Sequence, residues 1–140
     1  MSSSTEEHLN GLCKKIQQLD NTIRFTGIAN NLGSLVASAY REGFTPLMNM
    51  QETSHYAIQA VLRAATREDF ESKIGRLAYS IGKYEKLIRA TIPIELSSSK
   101  EDDGSKSYYL LLSFDLNSNV MGVIENKIMP FVEKNKQQEL

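Results

Sequence analysis

The sequence predicts an α+β fold: a single five-stranded antiparallel sheet with helices on both faces, in the order α-β-β-α-β-β-β-α. Three features of the pattern lead there. Apolar residues recur at helical spacing in three segments, near the start, the middle and the end of the chain. Between those segments, shorter runs alternate apolar and polar residues in the manner of strands. One run, Tyr108 to Phe114, is apolar on both sides and so belongs at the centre of a sheet covered on each face.

In the first segment, Glu6 to Leu19, the residues Leu9, Leu12, Ile16 and Leu19 line one face of a helix. Ser4 or Thr5 is placed to cap it, and Ser4-x-x-Glu7 has capping-box spacing. Asp20-Asn21 breaks the repeat. Ile23, Phe25 and Gly27 then alternate with Arg24, Thr26 and Ile28 in a strand ending near Ala29, and Asn30-Asn31-Leu32-Gly33 is a turn in which Asn and Gly tolerate positive φ. Ser34 to Arg41 completes a hairpin, closed by Glu42-Gly43 and Thr45-Pro46.

The stretch from Met50 to about Glu71 contains no Gly or Pro and reads as the longest helix. Around its axis Ala60, Ala64, Ala57, Val61, Ala65, Ile58 and Leu62 fill an arc of roughly 200°, whereas a stripe of about 100° upward suffices to cover a core. The half formed by Ala57, Ala60 and Ala64 is small and smooth, and is expected to admit a second helix. On this basis Ala60→Glu or Ala64→Glu is expected to yield a monomer. His55, Gln59, Arg63, Thr66 and Arg67 form the solvated side.

Arg76 to Ile81 alternates again, with Leu77, Tyr79 and Ile81 on one side, and Gly82 to Lys86 either continues or turns this strand. Leu87 to Ile94 is the next strand, where Pro93, with no N–H for the ladder, is expected at an end or a bulge. Ser97 to Ser107 has no apolar side chain and reads as a mobile hairpin loop. After the central strand, Val120, Val123, Ile124, Ile128 and Phe131 mark a final helix that Pro130 is expected to kink or to stop near Met129. Residues 1–4 and 134–140 are expected to fray.

The 140 residues and 15.7 kDa suit a single domain over 1–140. Sixteen Lys and Arg against seventeen Asp and Glu leave no basic excess for a nucleic-acid surface. A 41% hydrophobic and 24% charged composition excludes global disorder, and no apolar run approaches the about 18 residues of a membrane span. The opening residues, Met1 to Glu7, lack the features of a signal peptide, and one cysteine excludes an intrachain disulfide. These readings point to a cytoplasmic protein with neither nucleic acid nor membrane as partner.

The element order, together with the hairpin Phe25-Thr26-Gly27-Ile28-Ala29-Asn30-Asn31-Leu32-Gly33-Ser34-Leu35-Val36-Ala37, resembles the roadblock family of dynein light chain type, a relative of longin and profilin-like domains. The chain is also similar to archaeal proteins that share the hairpin and a segment like Ala65-Thr66-Arg67-Glu68. The roadblock resemblance implies a homodimer made through the long helix and the edge strand after it, here Met50 to Glu71 and Arg76 to Tyr84. It also implies scaffolding, or regulation of a small GTPase. Together with the wide apolar arc it gives Ala57, Ala60, Val61, Ala64, Leu77, Tyr79 and Ile81 as dimer-interface candidates. Two departures from the family stand out: a longer polar loop before the last strand and a substantial C-terminal helix.

Catalytic chemistry is thinly represented. His8 and His55 lie on different helices without a paired acid and nucleophile, and Cys13 beside an apolar stripe reads as a buried, inert thiol. No nucleophile elbow, phosphate loop or dinucleotide fingerprint is present, since Gly27 and Gly33 lead from strand to strand and not into a helix. One Cys and two distant His make no zinc cage, and Glu101-Asp102-Asp103-Gly104 lacks the ligand pattern of a calcium loop. No cofactor or metal is expected. Arg63 and Arg67, with Tyr84, are candidates for docking an acidic partner, although Arg67 also has helical spacing to Glu71. The reading is a non-enzymatic interaction domain, with a small-molecule sensor holding its ligand between sheet and helix as the alternative.

Overall fold

In the computed structural model, residues 3–43, 46–67, 70–97 and 105–135 are described. The stripe of Leu9, Leu12 and Ile16 forms α1, Ser3–Gln17. The helix starts at Ser3, so Ser4 and Thr5 lie inside its first turn. The alternating run becomes β1, Ile23–Asn30, paired antiparallel with β2, Leu35–Tyr40, with a bulge between Ile28 and Ala29. In the turn between them, the Asn30 side-chain oxygen accepts from the Leu32 and Ser34 amides, and Gly33 adopts φ 89°. A Cβ on Gly33 would lie 3.0 Å from the Cα of Ile58, so the turn rests against the backbone of the long helix.

That helix is α2, Met50–Arg67. Asn49 begins it: its side chain accepts from the Glu52 amide at 2.8 Å while Glu52 accepts from the Asn49 amide at 3.0 Å, a reciprocal capping box. It is described as far as Arg67, residues 68–69 lie outside the described set, and a separate short helix, α3, spans Glu71–Ile74 ahead of Gly75 at φ 92°. The remaining strands are β3 (Ser80–Lys83), β4 (Ile88–Ser97) and β5 (Ser105–Phe114). The sheet order is β2-β1-β5-β4-β3, antiparallel throughout, with β5 between β1 and β4 as its doubly apolar pattern requires.

Several boundaries differ from the sequence reading. Arg76 to Tyr79 is not strand, because β3 pairs with β4 only from Ser80, opposite Thr91, to Lys83. For the same reason Pro93 sits inside β4 and not at its end: from Ile92 onward β4 bonds to β5 alone, and an edge tolerates a residue without an N–H. The expected loop over Ser97 to Ser107 is shorter, since Ser97 and Ser105 to Ser107 are strand residues, and 98–104 lie outside the described residues. Pro130 does not stop the last helix, α4, which runs through Val120–Val123, a π-helical turn Ile124–Ile128, and Met129–Asn135. There the Met129 amide bonds to the Ile124 carbonyl, and the wider turn just ahead of Pro130 accommodates its ring and missing donor.

Helices cover both faces. On one, α1 and α4 bury Leu9, Leu12, Ile16, Ile124 and Ile128 against Ile28, Ala90, Ile92, Leu110, Leu112 and Phe114. On the other, α2 lays Tyr56, Ala57, Ala60, Val61 and Ala64 over Phe25, Ala29, Tyr109 and Leu111.

Candidate functional site

The outer surface of α2 and the cleft along its first turns are the places where this fold exposes chemistry. Ala57, Ala60, Val61 and Ala64, expected at a dimer interface, face the chain's own sheet and are 0%, 2%, 5% and 0% exposed. Their burial corrects the helix phase. Opposite them lie Ala29 of β1 and Leu111 of β5, and the small alanine side chains let the helix approach the sheet closely. The proposed Ala60→Glu or Ala64→Glu would therefore drive a carboxylate into this layer and unfold the chain, without testing association. What remains outside is the other half of the apolar arc: Ile58 at 46% and Leu62 at 61% exposure, with Ala65 beside them.

The other interface candidates divide. Ile81 lies on the free edge of the sheet and is exposed. Leu77 and Tyr79 are half-buried outside any strand, and the Tyr79 hydroxyl donates to the Glu125 carboxylate of α4. Arg63 is exposed on α2, the side chain of Arg67 lies outside the described set, and half of Tyr84 is open to solvent just past β3. Arg63 and Tyr84 thus belong to the same side of the sheet, but no hydrogen bond or ring contact joins them.

A second constellation was invisible as a motif. The Arg89 guanidinium lies over the Tyr56 ring, 3.8 Å from its centroid, and over Tyr84 at 5.5 Å. Its neighbourhood is a cleft under α2 lined by Phe25, Leu47, Met48, Thr53, Tyr56 and Leu87. Burial pushes the Tyr56 hydroxyl up to about 12, partly opposed by the positive charges of Arg89 and Arg63. Two sequence features mark the place: an arginine between apolar residues at the start of a strand, and a tyrosine immediately before the buried Ala57. Nearby, Asp115 accepts from Arg41 at 2.7 Å and Arg24 at 3.3 Å, and the Arg41 bond first, against the effect of burial, holds its carboxyl below the usual range.

Catalytic candidates fall away one by one. Cys13 is fully buried, and burial pushes its thiol up to about 12, far from a nucleophile's range. His55 is exposed on α2 and His8 is half-buried on α1, on opposite sides of the sheet. Among the described residues no group of three His, Cys, Asp or Glu side chains is arranged to hold a metal, and Glu101-Asp102-Asp103-Gly104 lies outside them. No helix among the described residues is long and apolar enough to cross a membrane.

The arrangement of this sheet and its helices recurs in solved structures. The gliding protein MglB of Thermus thermophilus matches with a TM-score of 0.67 at 11% identity, over 98% of this chain and 89% of that one. This chain has the roadblock fold. An MglB with a tetrameric arrangement matches with a TM-score of 0.66 at 13% identity, over 88% and 82% of the two chains. The Roadblock/LC7 domain from Streptomyces avermitilis matches at 0.62 and 8%, over 89% and 92%. The same fold is thus held by sequences of 8–13% identity to this one. No family model matches the sequence, and no curated protein does.

Proposed function

We propose that this protein is a non-enzymatic, self-associating interaction domain that presents a composite surface to another protein. The observation that carries the reading is the apolar outer side of α2. Ile58 and Leu62 stand in water on a helix whose inner side is already fully used. The free edge of β3, where Ile81 is exposed, lies at one margin of the same sheet, and unpaired edge groups favour pairing with another strand. That one MglB of the same fold has a tetrameric arrangement supports self-association as a use of this architecture. The interface is therefore assigned to Ile58 and Leu62 of α2 together with the backbone edge of β3 from Ser80 to Lys83, while Ile81, opposite Ala90, and Leu77, beside Ile128 and Val132, turn toward α4; Ala57, Ala60, Val61 and Ala64 support the helix from beneath.

The roadblock resemblance extends the reading to a small GTPase as the partner, docked over Arg63 and Tyr84 beside the paired helices. Light scattering of the wild-type chain is expected to give twice the chain mass of 15.7 kDa, and Leu62→Glu to give the monomer mass with an unchanged melting temperature. A wild-type monomer, or a Leu62→Glu variant of undiminished mass, removes the self-association. For the partner, co-elution with a small GTPase from the same source, in its GTP- and GDP-loaded forms, is the measurement, and its absence in both forms removes that extension.

A further inference from the structure

The cleft under the first turns of α2 is lined by Phe25, Tyr40, Leu47, Met48 and Leu87, with Arg89 on its border. It holds about 40 Å³, and a water needs on the order of 10–15 Å³ by this measure, so about three non-hydrogen atoms fit inside. Two of its walls stand partly in water: Leu47 is 57% and Tyr40 39% exposed. Tyr84, next to Arg89, is exposed as well. Large exposed side chains gathered around one recess mark a contact surface, and tyrosine and arginine carry much of the binding energy where proteins meet.

Charge gives the recess a sign. Arg89 has no carboxylate within ion-pair distance among the described residues. Its guanidinium is held in place by the Tyr56 ring and by Met48 Sδ, which accepts from it at 3.1 Å. After burial, the charges that bear most on Tyr56 are the positive ones of Arg89 and Arg63. Of the neighbouring carboxylates, Asp115 accepts from Arg41 and Arg24, and Glu52, in the adjoining groove, accepts from the Asn49 amide.

We propose that this cleft docks an acidic segment of a partner protein, with an isopropyl group of the segment (a valine side chain or the end of a leucine) filling the recess and a neighbouring carboxylate meeting Arg89. Capacity decides the class of occupant. A nucleobase, a phenyl ring and an acyl chain all exceed about three atoms, whereas an isopropyl group matches them, and a polypeptide brings such a group within one residue of a carboxylate. Geometry decides the acid: a guanidinium fixed by stacking presents a planar fork, which suits a planar carboxylate. Arg63, exposed on the next turns of α2, adds attraction for a second acid in the same segment. The proposal rests on the interaction-domain reading, to which it adds the chemistry of the partner, and it does not require the chain to be paired.

The test is fluorescence polarisation of labelled peptides titrated with the full chain at neutral pH. The first peptide has a valine with two aspartates on each side, the second has asparagines in place of the aspartates, and the third has tryptophan in place of the valine. The first is expected to saturate with a Kd of about 0.1–1 mM at low salt, and to weaken at least about threefold in 0.3 M sodium chloride. The second and third are expected to bind at least about tenfold more weakly. Leu47→Glu places a carboxylate on an exposed wall of the cleft, and is expected to lower affinity for the first peptide about tenfold at an unchanged melting temperature. Arg89→Gln is expected to lower it by a similar factor. Failure of the first peptide to saturate, equal binding of the second or third, or undiminished affinity in both variants overturns the proposal. A chain that self-associates or retains a small GTPase, yet ignores the first peptide, keeps the interaction-domain reading and loses this one.

Discussion

On one face of the sheet, α1 and α4 meet the strands through Leu, Ile and Phe side chains. On the other, α2 meets them mainly through Ala57, Ala60 and Ala64 across from Ala29 and Leu111. The first layer is thick and hides its helices' apolar stripes almost completely. The second is thin. A helix that comes this close spends its small residues on the sheet, and its larger ones, Ile58 and Leu62, are left on the outside. At the margin of the thin layer, where the alanines end, Tyr56 and Arg89 replace close packing with an aromatic and a charge, and a cavity opens. Thickness thus separates the face that hides its apolar side chains from the face that leaves Ile58, Leu62 and a cleft open to solvent.

The sharpest way to break this contrast is to hollow the thick layer. Phe114→Ala removes a fully buried ring from it and is expected to cost about 3–5 kcal/mol in urea or thermal unfolding. A smaller effect comes from thickening the thin layer. Ala60→Leu is expected to cost about 1–3 kcal/mol by overpacking, whereas Ala65→Leu, outside on the same helix, changes stability by less than about 0.5 kcal/mol. Equal costs for the two would mean that the helix phase is wrong.

The ionic corner at the end of the sheet gives a pH-dependent comparison. Bonding to Arg41 lowers the Asp115 pKa in the folded chain, so its contribution is complete above the unfolded value of about 3.9 and is lost as pH falls through the folded one. Asp115→Asn is expected to be less stable near neutral pH and to converge with the parent in strong acid; parallel curves down to low pH would remove the assignment. The smallest effect belongs to Tyr56→Phe, expected within about 0.5 kcal/mol of the parent or slightly above it, since the hydroxyl removed has no hydrogen-bond partner among the described residues.

Much of the fold was legible because its elements repeat clearly. The stripe Leu9, Leu12, Ile16 and the doubly apolar Tyr108 to Phe114 each allow one placement. The width of the apolar arc on α2 was equally legible, but which half faces inward was not. That choice depends on Ala29 and Leu111 lying opposite, a match between segments distant in sequence. Pro93 and Pro130 were read by their local penalties, and in both cases a neighbour relieved the penalty: the early end of β3 for one, a π turn for the other. The Asn49–Glu52 capping box was present in the sequence and passed over. Tyr56 and Arg89 form no motif, since their pairing exists only once α2 lies across β4.

Pro93 also governs how sheets of this protein can join. Beyond Thr91, β4 offers an incoming strand a border with one amide missing near its middle, so a continuous ladder cannot zip along Ile92 to Ser97. On that flank, only the four residues from Ser80 to Lys83 present an unbroken rim. Any strand that pairs on this flank is held to a rim of four residues, too short a template for a fibre.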